Sequence, residues 1–170
     1  MNTFPSAESQ VAAVADDIAY HNHDIDDGLR AGLFSIADLM EVPLVGEVVR
    51  EVIALYGSEL ERSRLANEIV RRTIDRMVSN LIIETNARIA KVSPVNAGAV
   101  RNLGRPLVGF SRQMEQDNQI LKDFLSNRMY HHPLVTEMTT RAQSVVKDLF
   151  NVLCSDPDAL PEEWQRRLTS

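Results

Sequence analysis

Acidic and aromatic residues recur at helical spacing near the N-terminus. Residues 14–30, VADDIAYHNHDIDDGLR, contain five aspartates, two histidines and one tyrosine. Asp16, Tyr20 and Asp24 follow one another in steps of four, which on an α-helix places their side chains along one groove at intervals of about 6 Å. Aspartate carboxylates bind divalent cations, and a tyrosine ring can stack on a sugar or a base. The spacing is compatible with a metal and substrate site, and also with the solvated face of a surface helix.

A helical wheel separates this polar stripe from an apolar one. With Asp16 set at 0°, Tyr20 falls at about 40° and Asp24 at about 80°. The opposite side, between about 160° and 220°, carries Val11, Val14, Ile18, Ile25 and Leu29. Periodicity alone favours an ordinary solvated face. The tyrosine and the crowded aspartates favour a site instead, because like charges repel one another unless a cation or hydrogen-bond donors are near.

The elements that would position these residues are helical. Glycine and proline are scarce, at seven each, and apolar residues recur in steps of three and four. We predict an all-α fold, with helices from residue 6 to between 27 and 31, over 35–41, 43–57, 59–92, 112–131 and 133–156, and another that begins in PEEWQRRL. The helix over 59–92 would be the long central helix of a multi-helical bundle. Residues 93–111 are expected to be a loop with one short helical turn.

Composition narrows the class of protein. A chain of 170 residues suffices for a single domain, 1–170, with one sizeable core. The net charge of −6 argues against a protein whose main role is to coat nucleic acid or an anionic membrane. The single cysteine, Cys154, cannot form an internal disulfide, and no apolar run approaches the roughly 18 residues that span a bilayer. We therefore expect a soluble, cytoplasmic protein with no membrane partner.

The aspartate and tyrosine motif is similar to that of a known family. Asp16-Asp17-Ile-Ala-Tyr20, followed by Asp24, resembles the last metal-binding helix of the HD-domain dNTP triphosphohydrolases, in particular the bacterial dGTPase-like enzymes. The resemblance implies an HD-domain-like bundle in which Asp16 is a ligand of a divalent metal, most simply Mg²⁺ or Mn²⁺. It also implies that Tyr20 and Asp24 hold the deoxyribose and phosphates of a deoxynucleoside triphosphate.

A second segment extends the resemblance. LKDFLSNRMYHHP, residues 121–133, looks like the later helix of the same family, which bears a basic residue and then a tyrosine eight positions on. Lys122 would then contact the triphosphate, and Tyr130 would pack on the sugar, where a ring helps to exclude a 2′-hydroxyl. Taken alone, Lys122 is better explained as a solvated lysine and Tyr130 as a half-buried core ring.

The chain departs from the family in one respect. The first histidine and the histidine-aspartate doublet of the family's metal site have no counterpart upstream of Asp16. His23-Asp24 has the right residue types but lies inside the last-ligand motif, and His21 and His23 diverge by about 200° on a helix, so that they cannot share an ion. We therefore expect the C-terminal part of a larger all-α enzyme, with the metal-ligand helix at 1–32, and pocket and subunit-interface helices at 33–170. The catalytic acid or base would lie in the missing N-terminal part.

The implied function is that of a metal-dependent dNTP triphosphohydrolase, which releases deoxynucleoside and tripolyphosphate, and the isolated chain is expected to be inactive. The alternative is a non-catalytic helical module whose acidic stripe binds a partner protein. Residues 85–114 add a cationic patch without a single acid: Arg88, Lys91, Arg101, Arg105 and Arg112. This patch could contact triphosphate, a nucleotide effector, single-stranded DNA or a second subunit of a homo-oligomer, or it could be solvated loop charge.

Overall fold

The structure, a computed structural model, describes residues 3–57 and 60–168, and helices dominate them. These residues contain no β-strand and form eight α-helices: α1 (Ala7–Ala31), α2 (Ile36–Leu39), α3 (Pro43–Tyr56), α4 (Arg62–Val92), α5 (Ala97–Arg101), α6 (Arg112–Leu125), α7 (Pro133–Ser155) and α8 (Glu162–Leu168). A π-helical turn, Ser126–Tyr130, follows α6, and a 3-10 turn, Pro157–Ala159, follows α7. The predicted all-α fold with one long helix is confirmed.

The helix ends coincide with residues that favour helix termination. Ser6 caps α1 by accepting a hydrogen bond from the backbone N–H of Ser9, and Gly32 ends that helix in the left-handed region with φ 69°. Ser35 and Asp38 form a reciprocal capping box at the start of α2. Because these caps are local, the sequence predicts the ends of α1 and the start of α2 to within a residue or two.

The chain divides into two compact units, Met1–Met129 and Tyr130–Ser170. The first contains α1 to α6, and the second contains α7 and α8. A compact unit need not be a domain that folds alone, so the expectation of one domain over 1–170 stays a prediction. Within the described residues, no helix is both long and apolar enough to cross a membrane.

The core of the first unit forms where α1 and α3 both pack against α4 and α6. Its fully buried members are Ile25, Leu39, Val42, Val45, Val48, Val49, Val52, Ile69, Met77, Leu121 and Leu125. Of the predicted apolar stripe of α1, Ile18 and Leu29 are also buried, whereas Val11 is 46% exposed. Val14 is partly buried against the same core, so the stripe packs from Val14 onward and only its first member, Val11, is left exposed.

A non-helical segment, residues 107–111, leads into α6 and is held by side chains. The Gln10 side-chain oxygen accepts hydrogen bonds from the backbone N–H groups of Leu107 and Val108, at 2.8 and 3.1 Å. Arg88 donates to the Phe110 carbonyl at 2.6 Å, and Asn80 accepts from the Ser111 N–H at 3.0 Å, so that α4 holds the same segment from the other side. Buried backbone groups require such partners, and here α1 and α4 provide them.

Gly28 lies inside α1, although the sequence allowed the helix to end there. A Cβ at Gly28 would lie 2.1 Å from Cε1 of Phe34. The Phe34 ring packs edge-on against Phe124 of α6, with the ring centroids 5.2 Å apart. The glycine thus provides room for a buried aromatic contact between the α1–α2 loop and α6.

This contact predicts the effect of Gly28→Ala on stability. Alanine normally favours a helix over glycine by about 0.5–1 kcal/mol. At this position the methyl group must displace a packed ring, so we expect the free energy of unfolding in urea to fall by about 1–3 kcal/mol. The loss should shrink in a Phe34→Leu background, measured as a double-mutant cycle. Stabilisation by Gly28→Ala in the otherwise unchanged chain would contradict this packing.

Candidate functional site

The three predicted residues of α1 differ in exposure. Asp16 is exposed and Tyr20 is 62% exposed, but Asp24 retains only 9% of its accessible surface. The solvated face that periodicity alone favours therefore does not include Asp24. The helical wheel places Asp24 about 80° from Asp16, far enough round the helix for Asp24 to be buried while Asp16 stays exposed.

An ion pair joins α1 to the predicted phosphate-binding residue of α6. The Lys122 ammonium lies 3.4 Å from Oδ2 of Asp17, with the side chains 39% and 57% exposed. A pair this exposed contributes at most about 1 kcal/mol, because water screens it. The pair therefore indicates where the two helices meet, and a stronger anion could displace Asp17 from Lys122 at little cost. Lys122 is thus brought beside the helix that carries Asp16, Tyr20 and Asp24.

Asp16 fits the chemistry of a single metal ligand. Within the described residues its carboxylate makes no hydrogen bond and no ion pair, so both of its oxygens are open to a cation. Oxygen ligands of this kind suit Mg²⁺ and Mn²⁺. No group of three histidine, cysteine or acidic side chains that could together hold an ion is found in the part of the chain that the structure describes. The donor set present therefore fits one ligand of an ion and does not form a complete site.

The imidazole of His21 on α1 is half-buried. Burial lowers the pKa of His21 below its ordinary value of 6.5, and the positive charge of Lys122 lowers it further, while the carboxylates of Asp17 and Asp24 oppose the shift. The Asn118 side chain of α6 also favours the charged ring, although neither Nδ1 of His21 nor Oδ1 of Asn118 has a hydrogen-bond partner within the described residues. His21 is therefore neutral at pH 7, and its charge state depends on its neighbours.

Tyr130 begins the second compact unit and is exposed. The sequence predicted one helix over 112–131, and residues 112–130 are helical without a break. The α-helix ends at Leu125, and the π-helical turn follows directly. The expectation that Lys122 and Tyr130 share roughly one helix face stays a prediction. Arg128, on this turn, pairs with Asp38 of α2 within the first unit.

Only three of the five residues in the predicted cationic patch line the same groove. Arg88, Lys91 and Arg105 line one groove of about 400 Å³, together with Glu84, Ala87 and Pro106. Arg88 is fixed there by Glu84, at 2.9 Å, and by the Phe110 carbonyl. Arg101 and Arg112 are not among the lining residues. A groove with three cations attracts anions even though the protein is acidic overall.

Sequence reasoning missed Asp17, His21 and Asn118 as members of this region. A signal for the first two was present, because Asp17, His21 and Asp24 follow one another in steps of four and three and so share one flank of α1. The contribution of Asn118 depends on which face of α6 meets that flank. No pattern within one helix determines this.

The sequence of the chain is similar to those of known proteins. Residues 108–170 match the family described as the phosphohydrolase-associated domain. A deoxyguanosinetriphosphate triphosphohydrolase-like protein of Parvibaculum lavamentivorans is 51% identical over 163 residues, which cover 96% of this chain and 41% of the relative. Proteins with the same description from Cereibacter sphaeroides and a Caulobacter species are 41% and 44% identical over 98% of the chain and cover 44% and 42% of their own lengths. The chain thus spans about two fifths of the length of these relatives and corresponds to their C-terminal part.

The environment of His21 predicts a pH-dependent signal. We expect the imidazole to titrate below 6.5 when followed by NMR. Lys122→Met should raise the midpoint by removing a nearby positive charge, and Asp17→Asn should lower it. The matched variant Lys91→Met, which removes a cation from the groove beside Arg88, should leave it unchanged. A midpoint at or above 6.5, or equal shifts from both lysine variants, would contradict this arrangement.

The same shift has a consequence for stability. Folding lowers the pKa of His21, so the unfolded chain binds this proton more readily than the folded chain does. The contribution of His21 to stability is complete above about pH 6.5 and is lost as the pH falls through the folded pKa. Urea denaturation of His21→Gln should therefore show a weaker loss of stability over that acidic range. An identical pH profile in both proteins would argue against the shift.

Proposed function

We propose, because this chain belongs to the family of deoxyguanosinetriphosphate triphosphohydrolase-like proteins, that it forms part of a metal-dependent deoxynucleoside triphosphate triphosphohydrolase. The whole protein would cleave a dNTP, with dGTP the first candidate, into deoxynucleoside and tripolyphosphate. The observation that carries the proposal is the contact of Lys122 with Asp17, because it brings the predicted phosphate ligand to the helix of the predicted metal ligand.

The proposed role of Asp16 is to bind a divalent cation, Mg²⁺ or Mn²⁺, as one ligand among several. Its exposed carboxylate supports this role, and the remaining ligands would come from elsewhere in the whole protein. When bound, the ion would polarise the α-phosphate or activate a water molecule for attack on it. The catalytic acid or base would likewise lie outside this chain.

The other predicted residues would bind the substrate. Lys122 would exchange its weak pair with Asp17 for the triphosphate, whose charge is several times larger. Tyr20 would use its exposed ring to stack on the deoxyribose, and Asp24 would help to hold the sugar and phosphates from the covered flank of α1. Tyr130 would pack on the sugar and help to exclude a 2′-hydroxyl.

Two further partners belong to the proposal. The groove of Arg88, Lys91 and Arg105 would bind an anion, either a nucleotide effector or single-stranded DNA, and its charge supports this role. The whole protein would act as a homo-oligomer in the cytoplasm. The alternative function is that of a non-catalytic helical module, in which the exposed face of α1 around Asp16 and Tyr20 binds another protein.

The proposal predicts the following for the whole protein, in the numbering of this chain. With dGTP and Mn²⁺ or Mg²⁺ it should release tripolyphosphate, measured by ion chromatography. Asp16→Ala should lower the bound metal and reduce kcat by at least about a hundredfold, because the ion would lose a ligand. Asp75→Ala, which removes an exposed aspartate from the middle of α4, is the matched control and should retain activity.

Two results would separate the proposal from its alternative. No release of tripolyphosphate, together with unchanged metal content in Asp16→Ala, would overturn the enzyme. The helical module instead predicts that Tyr20→Ala and Asp24→Ala weaken a protein contact and leave the affinity for dGTP unchanged. Equilibrium binding of dGTP to these two variants therefore discriminates between the two functions.

A further inference from the structure

Polar residues of α1 and α6 face one another along the flank where the two helices meet. Asp17, His21 and Asp24 share one side of α1, in steps of four and three. Asn118 and Lys122 share one side of α6, in a step of four. Lys122 lies 3.4 Å from Asp17, and the Asn118 side chain is near enough to His21 to raise the pKa of the imidazole. His21 is one helical turn along α1 from Asp17, the carboxylate that pairs with Lys122.

Two buried polar atoms on this flank lack a well-formed partner among the described residues. They are Nδ1 of His21 and Oδ1 of Asn118, and the Asn118 side chain as a whole is only 8% exposed. Buried polar atoms are nearly always hydrogen-bonded, so an unsatisfied pair of this kind requires an explanation. The two atoms are complementary, because a protonated Nδ1 donates and an amide oxygen accepts.

The influences on the His21 imidazole oppose one another, and together they favour the neutral ring. Asp17 and Asp24 favour the imidazolium, whereas Lys122 and burial favour the neutral ring. Lys122 is the one cation in this set, and its partner Asp17 is more than half exposed. Whatever neutralises Lys122 must therefore shift the balance towards the charged imidazole, because it removes an opposing charge.

We propose that His21 is a proton-linked positioning residue, uncharged while Lys122 pairs with Asp17, which takes up a proton from solvent when a polyphosphate replaces Asp17 at Lys122. This inference rests on the proposed function, in which Lys122 binds the triphosphate. No covalent bond forms or breaks. The charged ring donates through both nitrogens, one to Oδ1 of Asn118 and the other towards the bound anion or a carboxylate of α1.

The consequence is a coupling between pH and polyphosphate binding. If the bound state holds one more proton than the free state, the affinity rises as the pH falls, by at most about tenfold per pH unit. Thermodynamic reciprocity requires that binding of the polyphosphate raise the pKa of His21, and the coupling free energy is the same in both directions. A side chain with a purely structural role would change affinity or stability without exchanging a proton.

The test is calorimetric titration of the whole protein with inorganic tripolyphosphate, at constant metal concentration, in two buffers that differ in ionisation enthalpy. Tripolyphosphate itself exchanges protons near neutral pH, so the decisive quantity is the difference between variants. On binding tripolyphosphate, His21→Gln should take up fewer protons than the unchanged protein does, and the difference should approach one proton per site. The matched variant His23→Gln, an exposed histidine two positions along the same helix, should take up protons as the unchanged protein does.

A second measurement does not depend on any substitution. The NMR titration of His21 in the unchanged protein should move to higher pH when tripolyphosphate is added. Asn118→Leu, which removes the acceptor at similar volume, should reduce that movement. A titration that stays in place, or proton uptake equal in His21→Gln and His23→Gln, would overturn the inference.

The outcomes also separate this inference from the function on which it rests. If Lys122→Met binds tripolyphosphate as tightly as the unchanged protein does, the proposed phosphate site is wrong, and the role of His21 falls with it. If Lys122→Met weakens binding by tenfold or more while His21→Gln keeps full proton uptake, the phosphate site stands and only the role of His21 is wrong.

Discussion

Helix α1 buries Ile18, Ile25 and Leu29 in a core that it shares with α3, α4 and α6. Burial of each of these side chains stabilises the folded state by roughly 1.5–3 kcal/mol, which is far more than any polar contact of this helix contributes. The rotation of α1 about its axis is therefore fixed by apolar packing. Once it is fixed, Asp16 and Tyr20 must face outward, and Asp17 and His21 must lie beside α6.

The exposed face of α1 carries more negative charge than its neighbours neutralise. Arg30 pairs with Asp26 at 2.7 Å and Lys122 pairs with Asp17 at 3.4 Å, but Asp16 has no such partner within the described residues. Uncompensated carboxylates on a helix are destabilising, and a cation relieves the repulsion. A cation bound at this face would therefore also stabilise α1, because it would reduce the repulsion between the carboxylates.

Local patterns predicted the fold better than they predicted the site. The ends of α1 followed from Ser6 and Gly32 because capping involves only neighbouring residues, and the long helix followed from its apolar period. The burial of Asp24 did not follow, because a wheel separates the two faces of a helix and does not say which flank a second helix covers. The π turn before Tyr130 was missed for a related reason, since its anchor is the pair between Arg128 and Asp38, ninety residues apart. The roles of Asp16, Tyr20, Lys122 and Tyr130 remain predictions from family resemblance.

The hydrogen bonds from residues 107 and 108 to Gln10 join parts of the chain separated by 97 and 98 positions. Contacts of such sequence separation require closure of a long loop and form slowly compared with helices. The segment before α6 can therefore be completed only after α1 and α4 are in place, because both supply its hydrogen-bond partners. We expect assembly of the flank between α1 and α6, where Asp17 and Lys122 are 105 positions apart, to be a late event in folding for the same reason.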